Sequence, residues 1–461
     1  MLKKILGTIG TRYLIAFLNL MLIFINAKAL GVEGVGLVGI LLASINIAVV
    51  FNGVLSGNTI VYFMNRYSLH TILFPAYVWP FIGSALACAF MLLFGLFPLA
   101  YLTDIYILSL ISSFITTNAR FLLGKDKITG FNITYMLQSG LLFFILLYFY
   151  YIAGKQEVSS YIYGLYITYG IALAGSLLLL FPHLNQSTIK HPQHIVQLVI
   201  STDILLPGDR CKICLQIIII PKQNKPADKP FLSILKEMFS YGLWGSADNI
   251  AEVLTTRLNY FLIQRFAGLG SVGLLDAGTK ISESVWHISR SVSFIEYSSV
   301  AQTTDPEIQK RTTLKLFKLT FSAIASATIC ILFIPEWIYT DYLFSPEFTG
   351  MRKVIFGLSV GIVALGCNSI LSHYFIGSGK IRYSAVSSCI GLLTLSIAGY
   401  ILIPLHGVVG AAISSSIAFC AMLAFSMTVF CRQNQTRISE FIPDKEDVDE
   451  LARRIRQKLS C

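Results

Sequence analysis

The sequence predicts an all-α polytopic membrane protein of about twelve transmembrane helices, six on each side of a polar centre. Three observations carry this. Of the 461 residues, 55% are hydrophobic and only 13% charged, with a mean hydropathy of +0.70; a water-soluble domain needs far more polar surface. Uncharged apolar runs repeatedly reach the ~20 residues that a helix needs to cross ~30 Å of hydrocarbon. These runs are continuous rather than alternating, so helices and not a barrel satisfy the backbone in lipid.

In order, the predicted spans are 9–29, 36–57, 72–96, 102–122, 129–152 and 161–182, then 239–266, 272–299, 314–335, 354–376, 383–403 and 407–430. The expected organisation is an N-terminal six-helix bundle (1–182), a central linker (183–238), a C-terminal six-helix bundle (239–430) and a tail (431–461). Lys3, Lys4 and the apolar stretch up to Ala27-Lys28-Ala29 imitate a signal peptide. The apolar part is too long for one and carries Arg12, Asn19 and Asn26, so it reads as a retained first span. In the tail, Asp447 to Lys458 has the pattern of a short amphipathic helix.

The formal charge of +11 follows the membrane rather than nucleic acid. Lys3, Lys4, Arg66, Arg120, Lys125, Lys127, the basic central stretch, Lys310, Arg311, Lys380, Arg382 and the tail fall on one side. Lys155, Arg352 and Lys353 fall on the other. The positive-inside rule then expects both termini in the cytoplasm of a bacterial-type inner membrane, which requires an even number of spans. Five of the nine cysteines lie in apolar runs and act there as small hydrophobes. Cys211 and Cys214 form a C-x-x-C with no second pair to complete a metal site, and no metal or cofactor is expected.

The two halves share an internal echo. Lys28, Gly31, Val35, Gly36 and Leu37 are repeated as Arg265, Gly268, Val272, Gly273 and Leu274. Each set joins the first two spans of its half. Leu123-Gly124 with Lys127-Ile128 is likewise repeated as Ile376-Gly377 with Lys380-Ile381, between the fourth and fifth spans. Two echoes in matching order point to duplication, with the halves related by an axis along the membrane normal.

Charged residues inside spans usually face a cavity or each other. On the eighth span Asp276, Lys280, Glu283, His287 and Arg290 fall within about 80° of one face and extend roughly 21 Å. A hydrophilic cavity wall is one reading. A self-neutralising ladder of i,i+4 pairs and a helix lying at the interface are the others. Glu296 falls off the stripe. Arg12, Asn19 and Asn26 share a face of the first span. On the seventh, Asp248, Glu252, Thr255 and Asn259 form a stripe, and Arg257 and Arg265 lie elsewhere. The second adds Asn46, Asn52, Ser56 and Asn58. Singly such residues join helices; together they can enclose a wet cleft.

No nucleotide-binding P-loop, His-Glu-x-x-His or other catalytic set appears, and the loops on the outer side are short. An enzyme is not expected, and ATP does not drive this chain directly.

Ala27-Lys28-Ala29-Leu30-Gly31-Val32-Glu33-Gly34-Val35-Gly36-Leu37 resembles the polysaccharide-transporter branch (Wzx-type O-antigen and oligosaccharide flippases) of the multidrug/oligosaccharidyl-lipid/polysaccharide exporter superfamily. Lys28 stands where that family has Arg, and Val32 where it has Pro. Asn52 and Asn259 occupy positions where it often has Asp. Leu405 to Ala412 resembles its entry to the last span. The stretch 190–228 matches no motif of the family.

The resemblance implies a MATE-like fold, two six-helix bundles forming a V around a central cavity, and an undecaprenyl diphosphate-linked oligosaccharide as cargo. It implies cavity cations for the diphosphate (Lys280, Arg290, Arg12, Arg257) and groups that couple transport to H+ or Na+ (Asp276, Glu283, His287). Asn19, Asn26, Glu252 and Asn259 would complete the polar lining, and other polysaccharide-assembly proteins are expected partners. The alternative within the superfamily is a multidrug or metabolite/cation antiporter, whose cavity should be acidic and aromatic rather than mixed in charge. A membrane-embedded saccharide polymerase would need a large external loop or an acidic metal motif, and neither is visible.

Overall fold

The structure is a computed structural model and describes residues 2–442, apart from 65–66, 68, 96–98, 126, 185–229, 302 and 304. The Cys211–Cys214 pair, Arg66 and the expected helix from Asp447 lie outside the described residues, as do the side chains of Arg12 and His287.

Among the described residues there are ten α-helices and no strand: α1 (Leu2–Ser56), α2 (Asn58–Phe63), α3 (Leu69–Leu93), α4 (Leu102–Gly124), α5 (Ile128–Leu147), α6 (Val158–Leu184), α7 (Phe231–Ala301), α8 (Pro306–Leu332), α9 (Met351–Gly377) and α10 (Ile381–Asn434). Three are double. α1, α7 and α10 each reverse at one glycine, Gly31 (φ 68°), Gly268 (φ 80°) and Gly407 (φ 56°). Only glycine enters this region without a Cβ penalty, so two spans are joined with almost no loop. Counting both arms, α1, α7 and α10 cross twice and α3–α6, α8 and α9 once, which makes twelve spans. Eight of the helices are long and apolar enough to cross a membrane unaided. α7 fails that criterion because of its charges and is held instead by its neighbours.

The echoes in sequence are echoes in backbone. Gly31 (68°, −176°) and Gly268 (80°, 175°) have nearly identical torsions. Lys125 after α4 (−87°, 11°) and Ser378 after α9 (−81°, 4°) also match.

Several helices run further than apolarity alone predicts. α8 starts at Pro306 because Asp305 accepts the Glu307 amide at 2.9 Å as N-cap and proline suits the first turn. α6 reaches Leu184 and α7 begins at Phe231, so the expected linker of 183–238 is shortened at both ends by amphipathic turns outside the hydrocarbon.

The first six spans and the last six meet along α1 and α7. At the end bearing the glycine reversals (the turn end), Ile23, Ala27 and Val35 pack with Ala277, Ile281, Phe344 and Phe348, and Phe24 meets Phe344 edge-on at 5.2 Å. Gly273 lies against the carbonyl of Val32, where a Cβ would overlap. At the end bearing the chain termini (the terminal end), the second arm of α1 packs on the first arm of α7. Gly242 abuts the Val54 carbonyl, Tyr62 stacks on Tyr241 at 4.3 Å, and the Tyr67 hydroxyl donates to Glu237 at 2.8 Å.

Candidate functional site

The charged stripe of α7 occupies the second arm, and its exposure rises steadily toward the terminal end. The Asp276 side chain is 2% exposed, Lys280 22% and Glu283 27%, while Arg290 is exposed. These residues share one face, which is closed at the turn end and opens toward the terminal end.

At the tight end Asp276 lies against Gly39 of α1, where a Cβ would come within 3.1 Å of the carboxyl carbon. Asp276 also pairs with Lys280 at 2.7 Å. Deeper, Arg257 crosses from the first arm of α7 to bind Glu283 at 3.0 Å, donates to the Tyr260 hydroxyl at 2.9 Å and sits 5.4 Å from that ring centroid. Sequence spacing set Arg257 apart from its helix's polar stripe; the fold brings it to the cleft. Arg290 lies over the Trp286 ring at 4.3 Å, and no carboxylate of the described residues lies within ion-pair distance. Glu252, half-buried, is within electrostatic reach of Arg290.

The opposite wall comes from α1. Asn19 is exposed although it lies well around the helix from the lipid-facing Leu14 and Phe17. At ~100° per residue that direction is the interior. Asn46 is exposed seven residues from both Gly39 and Gly53, which face Asp276 and Ser246 of α7, so it stands on the same α7-facing side. Asn26 is 3% exposed and accepts the Tyr150 hydroxyl at 3.2 Å, which ties α1 to its own half.

The remaining stripe on α7 faces another way. Asp248 accepts from Ser384 at 2.8 Å and Ser388 at 2.7 Å. Asn259, 2% exposed, donates to the Ala411 carbonyl (2.9 Å), Ser414 (3.1 Å) and Ser415 (2.7 Å). The structure thus sets these groups, with Thr255 donating to the Ser388 carbonyl at 3.4 Å, in a seam with α10 rather than in the cleft. Asn259 also borders a small cavity inside the C-terminal half, beside Glu283 and Trp286. Helical spacing shows that residues share a face but not which neighbour that face meets.

Among the described residues of the N-terminal half, amide and hydroxyl side chains join the helices at depth. Asn52 donates to Ser84 (2.8 Å) and Ser113 (2.6 Å), Asn118 to Ser176 (2.8 Å) and Gln138 to Ser112 (2.9 Å). Among the described residues no group of His, Cys, Asp and Glu is placed to hold a metal.

Residues 210–376 match the sequence model of a family described as "Polysaccharide biosynthesis protein". The match begins inside the stretch where the turn motifs are silent. No curated protein sequence matches. Among solved structures, an inward-facing multidrug resistance MATE family transporter of the MOP superfamily superposes with a TM-score of 0.64 at 14% identity, covering 91% of this chain and 94% of that one. The lipid II flippase MurJ in an inward closed conformation gives 0.60 at 16%, covering 96% and 89%. The MATE multidrug transporter DinF-BH gives 0.56 at 14%, covering 93% and 94%. The chain thus shares the fold of these transporters and of this flippase, and residues 210–376 are similar to the polysaccharide biosynthesis family.

Proposed function

We propose that this chain flips an undecaprenyl diphosphate-linked oligosaccharide, such as an O-antigen or capsule repeat unit, across a bacterial inner membrane by alternating access. The observation that carries the reading is Arg290, an exposed guanidinium with no carboxylate of the described residues within ion-pair distance, stacked on Trp286 at the open end of the stripe. A saccharide diphosphate needs this chemistry. The planar fork of an arginine pairs with phosphate oxygens, an indole face beside it suits a sugar ring, and the cleft shelters a head group that cannot cross hydrocarbon while its lipid tail stays in the bilayer.

Lys280 and Arg257 stand further in. Their partners Asp276 and Glu283 offset these two charges, and exchange of those partners for phosphate would let the head group move along the stripe. Arg12 is a fourth cation by helical position. Asp276, Glu283 and His287 remain the stripe's candidates for coupling to H+ or Na+. Lys125, Lys127, Lys236, Lys310, Arg311, Lys380 and Arg382 all lie at the terminal end, and the positive-inside rule assigns that end, with both termini, to the cytoplasm. Family match and fold support a transporter rather than an enzyme.

The test is transbilayer movement of a labelled undecaprenyl diphosphate oligosaccharide in liposomes holding the purified protein, with Lys280→Ala and Arg290→Ala alongside. Movement that depends on both cations is expected. Export of small cationic dyes with no movement of any saccharide lipid would overturn the reading in favour of an antiporter.

A further inference from the structure

Three acidic side chains are buried among the described residues: Asp248, Asp276 and Glu296. Asp248 is held by two serine hydroxyls and Asp276 by Lys280. Glu296 has an exposure of 0%, and among the described residues no ion pair or well-formed hydrogen bond holds either carboxyl oxygen, Thr313 being the hydroxyl beside it.

Six residues past Arg290, Glu296 lies about 9 Å further along α7 and is turned about 240° around it, away from the cleft and toward α8 and α9. The groups facing it are Thr313 of α8 and Tyr374 of α9. Both spend their hydrogens elsewhere, Thr313 on the Gln309 carbonyl at 2.9 Å and Tyr374 on Asn434 at 3.2 Å. His373, the neighbouring titratable group of α9, lies toward Asp248 and Arg290 instead. No cation of the described residues reaches the carboxyl. Val300, one turn on, is sealed among Phe317, Tyr374 and Phe375.

A carboxylate stripped of water and given no partner costs several kcal/mol, and the group avoids that by staying neutral. We propose that Glu296 is a proton-binding site that couples the conformational cycle to a proton gradient, holding its proton in this buried arrangement and releasing it to water when α7 moves apart from α8 and α9. This rests on the transporter reading above. A proton suits the site better than Na+, because a hard cation needs several converging oxygens and, among the described residues, two committed hydroxyls face this carboxyl. The stripe carboxylates Asp276 and Glu283 are each held by a cation.

Infrared spectra of the full chain in lipid nanodiscs at pH 8, where exposed carboxyls are ionised, test the protonation. A carboxylic-acid carbonyl band is expected in the wild type and in Glu283→Gln, lost in Glu296→Gln and shifted in Glu296→Asp. Absence of that band from the wild type overturns the proposal and needs no variant to fold. In liposomes, an applied proton gradient should accelerate movement of undecaprenyl diphosphate disaccharide by the wild type and leave Glu296→Gln at its ungradiented rate. Equal acceleration in Glu296→Gln overturns the coupling role. A band at Glu296 with no saccharide-lipid movement in any protein sinks the flippase reading and leaves the proton site standing.

Discussion

Glu347 Oε2 accepts the backbone amide of Val32 at 2.8 Å. A carboxylate from the α8–α9 connection of one half thereby caps the second arm of α1 in the other, one residue past the Gly31 reversal. A cap of this kind is worth about 0.5–2 kcal/mol. Glu347→Ala should therefore loosen the turn end, raising hydrogen exchange at the Val32–Val35 amides several-fold with little change at the terminal end. Unchanged exchange there would show that the contact holds nothing.

Two glycine contacts sit at opposite ends of the same seam. Gly273 abuts the Val32 carbonyl at the turn end, and Gly242 the Val54 carbonyl at the terminal end. An added methyl at either must push two backbones apart. Gly273→Ala is expected to increase solvent labelling at the turn end and Gly242→Ala at the terminal end. Labelling raised at the same end in both variants would contradict this assignment.

Arg257 and Glu283 form a partly buried pair at 3.0 Å. Removing only the cation leaves a carboxylate with poor solvation, at a cost of about 1–3 kcal/mol. Arg257→Ala should lower the thermal midpoint in detergent, and Arg257→Ala/Glu283→Gln should recover much of the loss. A double variant as unstable as the sum of the singles would mean that the pair is not coupled.

Asp248 joins α7 to α10 through Ser384 and Ser388. Asn in its place keeps one acceptor oxygen, and Ala keeps none. Asp248→Asn is expected to cost about 1 kcal/mol and Asp248→Ala more, measured by the same unfolding assay, with transport reduced only in proportion to folded protein. Loss of transport in a fully folded Asp248→Asn protein would place this residue in the transport cycle instead.

Much of this architecture was legible before any coordinates. Apolar runs and basic side chains give the twelve crossings, and the Lys28–Leu37 and Arg265–Leu274 echoes mark the two reversals whose torsions match. The Asp276-to-Arg290 stripe declares a face by its spacing alone. Asp248 and Asn259 show where that kind of reading stops, since their partners on α10 lie 136 to 156 residues away. Arg257, off its own stripe, reaches the cleft because the Gly268 reversal folds one arm of α7 onto the other. Glu296 falls off the stripe by its spacing, but its burial against α8 and α9 is a property of packing that no local spacing encodes.

The single-glycine reversals at Gly31, Gly268 and Gly407 also decide what the turn end shows to its surroundings. Three of the six connections there have no loop, which leaves a proteolytic enzyme or an antibody few footholds on that face. The longest is 333–350, where Trp337 and Tyr342 stand exposed. Epitope mapping or limited digestion from that side should report this segment first.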